Sequence, residues 1–216
     1  MTGQFEKQRA AMIRRLRDLG IDNEVVLQAM NTVPRHLFVA KGLEFQAYDE
    51  KALPIGFGQT VSHPYTVAYM TQMLEVKTGN KVLEVGTGSG YQTAVLCALG
   101  AQVYSIELVK NLAGDALKTL RKLGHNCALR TGDGSRGWAA FAPYDRILVT
   151  AGAPVLPDVL IEQLSDAGKL LIPVGNREEQ VMHMFQKKDD EVKAFRLEKF
   201  NFVPMRGKEG WKTEQD

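Results

Sequence analysis

Val82-Leu83-Glu84-Val85-Gly86-Thr87-Gly88-Ser89-Gly90 runs from apolar residues into three glycines at alternate positions, directly ahead of a helical pattern at Tyr91 to Leu99. A short apolar run that ends in glycine reads as a buried strand followed by a tight turn. Strand, glycine turn and helix open a βαβ unit, and the same texture continues downstream. Strands are expected at Lys81 to Val85, Gln102 to Glu107, Cys127 to Arg130, Tyr144 to Thr150 and Lys169 to Val174, with helices at Tyr91 to Leu99, Lys110 to Leu123 and Pro157 to Leu164. The pattern predicts an α/β, Rossmann-like fold: a mostly parallel twisted sheet with helices on both faces. Gln180 to Lys187 and Val192 to Phe202 alternate apolar with polar residues and predict two more strands, one antiparallel at an edge. Upstream, Phe5 to Leu19 and Asn23 to Asn31 have helical periodicity. A break at Val33-Pro34-Arg35 and a Gly-, Pro- and aromatic-rich stretch from Tyr48 to Pro64 follow. Residues 1–75 therefore read as a helical and loop accessory layer, 76–175 as the ligand-binding core and 176–216 as C-terminal strands of one domain.

The glycine loop is not a phosphate loop. A dinucleotide fingerprint needs its third glycine one residue later, and Tyr91 stands where Gly or Ala belongs; a P-loop needs a Lys after the last glycine, and Gly90 has none. Glu84 adds a charge argument, because a carboxylate beside the loop opposes a phosphate but favours a ligand bearing an ammonium and a sulfonium. S-adenosyl-L-methionine is such a ligand. Gly86, Thr87, Gly88 and Gly90 form its expected cradle. Glu107, at the end of the next strand, stands near the ~20-residue offset at which an acid meets ribose hydroxyls. In Gly132-Asp133-Gly134, after the third strand, Asp133 could accept from an adenine amino group while Gly134 admits close backbone approach. The alternative is that the glycines only make βα turns and that Glu107 and Asp133 are helix caps. Three such elements, each at a strand C-terminus, favour a ligand crevice.

The chain has 216 residues, 44% hydrophobic and 24% charged, with a net charge of +2. These proportions exclude a disordered chain. No clustered Lys/Arg stripe points to nucleic acid: Arg14, Arg15 and Arg17 alternate with Ile13, Leu16 and Leu19 as the polar face of an amphipathic helix. Cys97 and Cys127 lie in apolar segments and read as reduced core residues, not as a disulfide framework or a metal site. No stretch reaches the ~18 apolar residues of a membrane span, and Glu6, Lys7 and Arg9 interrupt what a signal peptide would need. The expected location is the cytoplasm. His36, His125 and His183 are isolated and suggest no metal site.

Longer motifs add a resemblance. Val33-Pro34-Arg35-His36-Leu37-Phe38-Val39, Ala47-Tyr48, Leu53-Pro54-Ile55-Gly56-Phe57-Gly58-Gln59-Thr60-Val61-Ser62-His63-Pro64-Tyr65, Ala142-Pro143-Tyr144-Asp145, Ile172-Pro173-Val174-Gly175 and Phe202-Val203-Pro204 flank the glycine loop in order. In this the chain resembles the protein-L-isoaspartate O-methyltransferases, particularly the bacterial members. The resemblance implies the S-adenosylmethionine-dependent methyltransferase fold and transfer of a methyl group to the free α-carboxylate of L-isoaspartyl residues in damaged proteins and peptides, leaving S-adenosyl-L-homocysteine. It also implies that Ser62 is the active-site serine and that Thr60, Val61, Ser62, His63 and Val203 line the substrate cleft. No long C-terminal extension follows the matching motifs, so a monomer is expected. His63 and Met205-Arg206 depart from the residues common in the family.

Ser62 followed by Pro64 is also a helix N-cap signal. A serine-hydrolase reading fails, because Ser62 has no G-x-S-x-G elbow and its immediate neighbour His63 is badly placed to activate it. The rivals are another carboxyl or small-molecule methyltransferase using the same donor, and a non-catalytic donor-binding module.

Overall fold

The computed structural model describes residues 2–189 and 191–212. Helices α1 (Thr2–Asp18) and α2 (Glu24–Thr32) come first, followed by strands β1 (Leu53–Gly56) and β2 (Gln59–Val61) and helix α3 (Pro64–Leu74). The core alternates β3 (Lys81–Val85), α4 (Tyr91–Ala98), β4 (Gln102–Glu107), α5 (Lys110–Lys122), β5 (Ala128–Thr131), β6 (Tyr144–Val149), α6 (Asp158–Glu162) and β7 (Leu164–Gly175). Strands β8 (Gln180–Lys188) and β9 (Glu191–Phe200) follow.

Seven strands form one sheet in the order β5-β4-β3-β6-β7-β8-β9. The first five pair in parallel, and β8 and β9 continue antiparallel. From β3 the chain builds outward through β4 and β5, then crosses back to lay β6 on the other side of β3. That reversal opens a crevice at the C-terminal ends of β3 and β6, where open α/β sheets bind ligands.

Strand periodicity explains the two cores. Val82, Leu148 and Leu171 face one side, buried with Met12, Leu27, Met70 and Val95 from the helices. Leu83, Val85, Ile147, Val149, Leu170 and Ile172 face the other, buried with Leu160, Leu164 and Met205. A strand covered on both faces is apolar throughout, as the central strands are. The N-terminal layer is fastened by polar contacts as well: Asn23 caps α2 by accepting from the N–H groups of Val25 and Val26, and Gln72 on α3 accepts from Asp22 and Asn23.

Five local expectations change. Strand β7 begins at Leu164, which pairs with Tyr144 of β6, five residues ahead of the expected start at Lys169. Residues 53–61 form a β-hairpin, although Pro54 and the glycines suppress a strand signal; Gly56, Phe57 and Gly58 turn the corner with positive φ. Helix α6 stops at Glu162, because the Gln163 carbonyl accepts from Tyr144 and its side chain bridges Trp138 N–H and the Arg136 carbonyl. Strand β9 ends at Phe200, beyond which the Gln180 amide captures the Phe202 N–H at 2.7 Å and draws the chain off the sheet. The N-cap of α3 is His63, whose Nδ1 accepts from Tyr65 N–H at 3.0 Å. Ser62 is left uncommitted.

Candidate active site

The donor wall begins where β3 ends. Gly86 has φ +97°, and a Cβ there would collide with the Thr150 hydroxyl. That hydroxyl donates toward the carbonyls of Val85 (3.0 Å) and Gly86 (2.6 Å), so the end of β6 holds the turn after β3. Two residues on, the Gly88 N–H donates to Glu107 Oε2 at 2.8 Å, while Val109 N–H donates to Oε1 at 2.9 Å. Glu107 is thereby fixed at the tip of β4 and also borders the cleft. Gly90, with φ +88°, starts α4; a Cβ there would press on Leu120 and Ala116 of α5, so this glycine serves helix packing and does not line the cleft.

Glu84 turns the other way. It shares the Val82 face of β3, and its carboxylate accepts from the Thr93 hydroxyl at 2.5 Å and the Ser105 hydroxyl at 2.6 Å. It is fully buried, and its Oε1 has no partner. Burial pushes its pKa up to about 7, against the two hydroxyl bonds and with help from nearby Glu107. Glu84 therefore does not meet a ligand's ammonium directly. It reaches the cleft through a relay: Ser105 Oγ lies 2.6 Å from Thr87 Oγ1, and Thr87 lines the cleft. Such a network is costly if left half-satisfied, and it locks the loop when paired.

Asp133 is also diverted. Its Oδ1 accepts from the N–H and hydroxyl of Ser135, and its Oδ2 from Lys208 N–H at 2.8 Å. Burial raises its pKa, but the hydrogen bonds from Lys208 and Ser135 and the charge of Arg136 outweigh this and hold it low. The carboxylate thus anchors the C-terminal segment, whereas neighbouring Gly134 lines the cleft with its backbone close against Val85.

Facing the donor wall are Gln59, Thr60, Val61 and Ser62 from the hairpin and Val203, Pro204, Met205 and Arg206 from the segment after β9. Together the walls bound one cleft that is open to solvent. The C-terminal segment is tied to the sheet by Gly152, which donates to the Val203 carbonyl (2.9 Å) and accepts from Met205 N–H (2.8 Å). Among the described residues, the Ser62 hydroxyl makes no hydrogen bond with protein atoms, His63 included. It is a free donor in the cleft, not an activated nucleophile. Alongside lies a second cavity of about 360 Å³ bordered by Thr60, Ser62, His63, Thr66, Asn201 and Val203. Burial lowers the pKa of His63.

The structure thus brings Gly86, Thr87, Gly88, Glu107, Gly134, Thr60, Val61, Ser62 and Val203 to one cleft. His63 borders only the adjoining cavity, and Glu84, Gly90 and Asp133 support the wall from behind. Sequence reading missed Gln59, Tyr91, Gln92 and Thr150. Thr150 was findable, since it follows a strand at the rim where ligands bind. Among the described residues, no group of three or more His, Cys, Asp or Glu side chains is arranged to hold a metal ion. On the donor wall a carboxylate and open backbone, with the lining cation Arg206 on the opposite wall, suit a cationic, ribose-bearing ligand better than a polyphosphate.

Known proteins match this chain along almost its whole length. The family model described as protein-L-isoaspartate(D-aspartate) O-methyltransferase matches residues 7–210. The protein-L-isoaspartate O-methyltransferase of Dictyoglomus thermophilum is 45% identical over 212 residues, covering 98% of this chain and 96% of that protein. Its counterpart from Cytophaga hutchinsonii is 48% identical over 207 residues, covering 95% and 94%. Among solved structures, a Plasmodium falciparum protein described as a putative protein-L-isoaspartate O-methyltransferase, in complex with S-adenosyl-L-homocysteine, superposes with a TM-score of 0.82 at 25% identity, covering 91% of this chain and 97% of that one. A second protein-L-isoaspartate O-methyltransferase gives 0.82 at 26% identity; the match takes in 93% of this chain and 66% of the longer one. Matches that run almost end to end mean that this chain belongs to the protein-L-isoaspartate(D-aspartate) O-methyltransferase family.

Proposed function

We propose that the protein transfers a methyl group from S-adenosyl-L-methionine to the free α-carboxylate of L-isoaspartyl residues in damaged proteins and peptides, the first step of their repair. The observation that carries this reading is the unpaired Ser62 hydroxyl in the same cleft as Glu107 and the glycine loop, in a chain of this family. When bound, S-adenosyl-L-methionine supplies an electrophilic methyl on a sulfonium and leaves as S-adenosyl-L-homocysteine. Glu107 would accept from its ribose hydroxyls, Gly86, Thr87 and Gly88 would hold its methionine part, and Gly134 would admit its adenine.

The acceptor carboxylate has an ordinary pKa of ~4, so at neutral pH it is already an anion and needs no general base. Ser62 donates a hydrogen bond to it and orients it. The backbone of Thr60, Val61 and Val203 holds the extended peptide by strand-like pairing. Catalysis is then chiefly a matter of holding acceptor and donor in line within a cleft that excludes water. The amide nitrogen of the isoaspartyl linkage then attacks the ester carbonyl and gives up its proton as methanol leaves, which a carboxylate's oxide would not do; the succinimide so formed is opened by water, in part to normal aspartate.

The chain acts as one domain, since one core joins Met12 of α1 to Met184 of β8. We place it in the cytoplasm, in keeping with its free thiols at Cys97 and Cys127, as a monomer whose cleft stays open to protein-sized substrates and which has no nucleic-acid partner. Among the described residues, no helix is long and apolar enough to cross a membrane. The deciding experiment uses radiolabelled S-adenosyl-L-methionine with paired peptides that differ only in carrying Asp or isoAsp. Label is expected on the isoAsp peptide alone, and equal labelling of both would refute the assignment.

A further inference from the structure

Arg35 sits in a single 3₁₀ turn, Arg35–Leu37, and borders neither cavity. Its side chain is nevertheless completely buried. Nε donates to the Ala47 carbonyl at 2.6 Å and Nη2 to the Ser62 carbonyl at 2.7 Å. The guanidinium carbon lies 4.7 Å from the centre of the Tyr91 ring. Nη1 has no partner, and among the described residues no carboxylate forms an ion pair with it. Burial lowers its pKa, opposed by Tyr91 and Tyr48, and a guanidinium still keeps its charge.

A cation buried without a carboxylate is expensive, and an apolar side chain would fill the same space at lower cost. The planar fork does something no filler does: it reaches two carbonyls on separate segments while lying flat on an aromatic ring. Those three partners are unequal in position. Ala47 belongs to the N-terminal layer, Ser62 is on the acceptor wall, and Tyr91 is the first residue of α4 and lines the donor side of the cleft. The influence of Arg35 extends to the next residue of the acceptor loop. Burial first, and then the Arg35 charge, act to hold His63 below its ordinary pKa.

We propose that Arg35 is a positioning residue for methyl transfer: it ties the Ser62 backbone to the Tyr91 end of the glycine loop and so sets the acceptor wall at a fixed distance from the donor wall. It touches neither reactant. Its effect passes through Ser62, where a displacement of ~1 Å is enough to cost ~100-fold in rate. The inference rests on the role given to Ser62 above.

The test compares Arg35→Lys and Arg35→Met with the wild type, in steady-state methylation of an isoAsp peptide and in calorimetric titration with S-adenosyl-L-homocysteine. Lysine keeps the charge but loses the fork, so kcat is expected to fall ~10-fold in Arg35→Lys and ~100-fold in Arg35→Met, with peptide KM and homocysteine-product Kd each within about threefold of the wild type. A kcat within about threefold of wild type in both variants overturns the proposal. So does a parallel loss of kcat and product affinity, which is the mark of a residue that merely holds the fold together. If Arg35→Met does not fold, Arg35→Lys decides on the same criteria. A wild-type protein that fails to label the isoAsp peptide refutes the activity and Arg35's part in it together; labelling by the wild type with unimpaired variants refutes Arg35's part alone.

Discussion

The donor wall of the cleft is built from neighbours: Gly86 to Gly88 follow β3 directly, and Glu107 and Thr150 are brought beside them by strands that pair with β3 on either side. The acceptor wall is built from strangers. A hairpin strand, a turn before α3 and a segment after β9 are tied together by hydrogen bonds with Arg35, Gly152, Gln180 and Asp133, beside the buried side chains of Val61 and Met205. A wall made by sheet register is as rigid as the sheet, whereas one made by isolated hydrogen bonds depends on each of them. Substitutions on the two sides should therefore fail differently.

The largest expected effect is on the donor side. Glu107→Ala removes a charged acceptor for ribose and the anchor of the Gly88 N–H, so the apparent KM for S-adenosyl-L-methionine should rise by ~100-fold. Titration with S-adenosyl-L-homocysteine checks this, and an unchanged curve would remove Glu107 from the site. Ser62→Ala should give the opposite pattern, kcat lower by ~10-fold for one lost hydrogen bond with donor affinity unmoved. If the two variants shift the same constant, the division into two walls is wrong.

Glu84→Gln should disturb turnover least, and it reads the hidden side of the donor wall. Glu84 holds its proton up to about 7, compared with an ordinary value of 4.5. Between those limits the folded state binds more protons than the unfolded one, so this group's contribution to stability is present at low pH and is lost as pH rises through 7. Glutamine has no such proton. The difference in thermal midpoint between the wild type and Glu84→Gln should therefore change by several degrees from pH 5 to pH 8, with the wild type losing ground as pH rises. A constant difference would place the charge elsewhere.

These differences also decide what could be read in advance. Sheet, glycine loop and Glu107 were legible because each is a local pattern: an apolar strand, a turn that needs positive φ, an acid at the next strand's end. Strand parity even held the fate of Glu84, since a residue between Leu83 and Val85 must face the side that carries Val82 and lies beneath α4. Charge alone had suggested a direct ligand contact. The anchoring part of Asp133 could not be read in advance for a different reason: its partner Lys208 lies far along the chain, and no local signal announces it. The hairpin was hidden by its own Pro54 and glycines. Arg35 stands in the Val33-Pro34-Arg35 break, and nothing in its neighbourhood says that it will reach both Ala47 and Ser62.

The late position of Val203 to Arg206 has a consequence for biosynthesis. Chains leave the ribosome amino end first and fold as they emerge. All seven strands of the sheet are translated before this segment, so a chain cut just beyond β9 holds every residue of the donor wall but lacks half of the opposite wall. Competence to modify other polypeptides therefore comes only after the sheet is finished, and a translation arrest just beyond β9 would leave a half-open crevice.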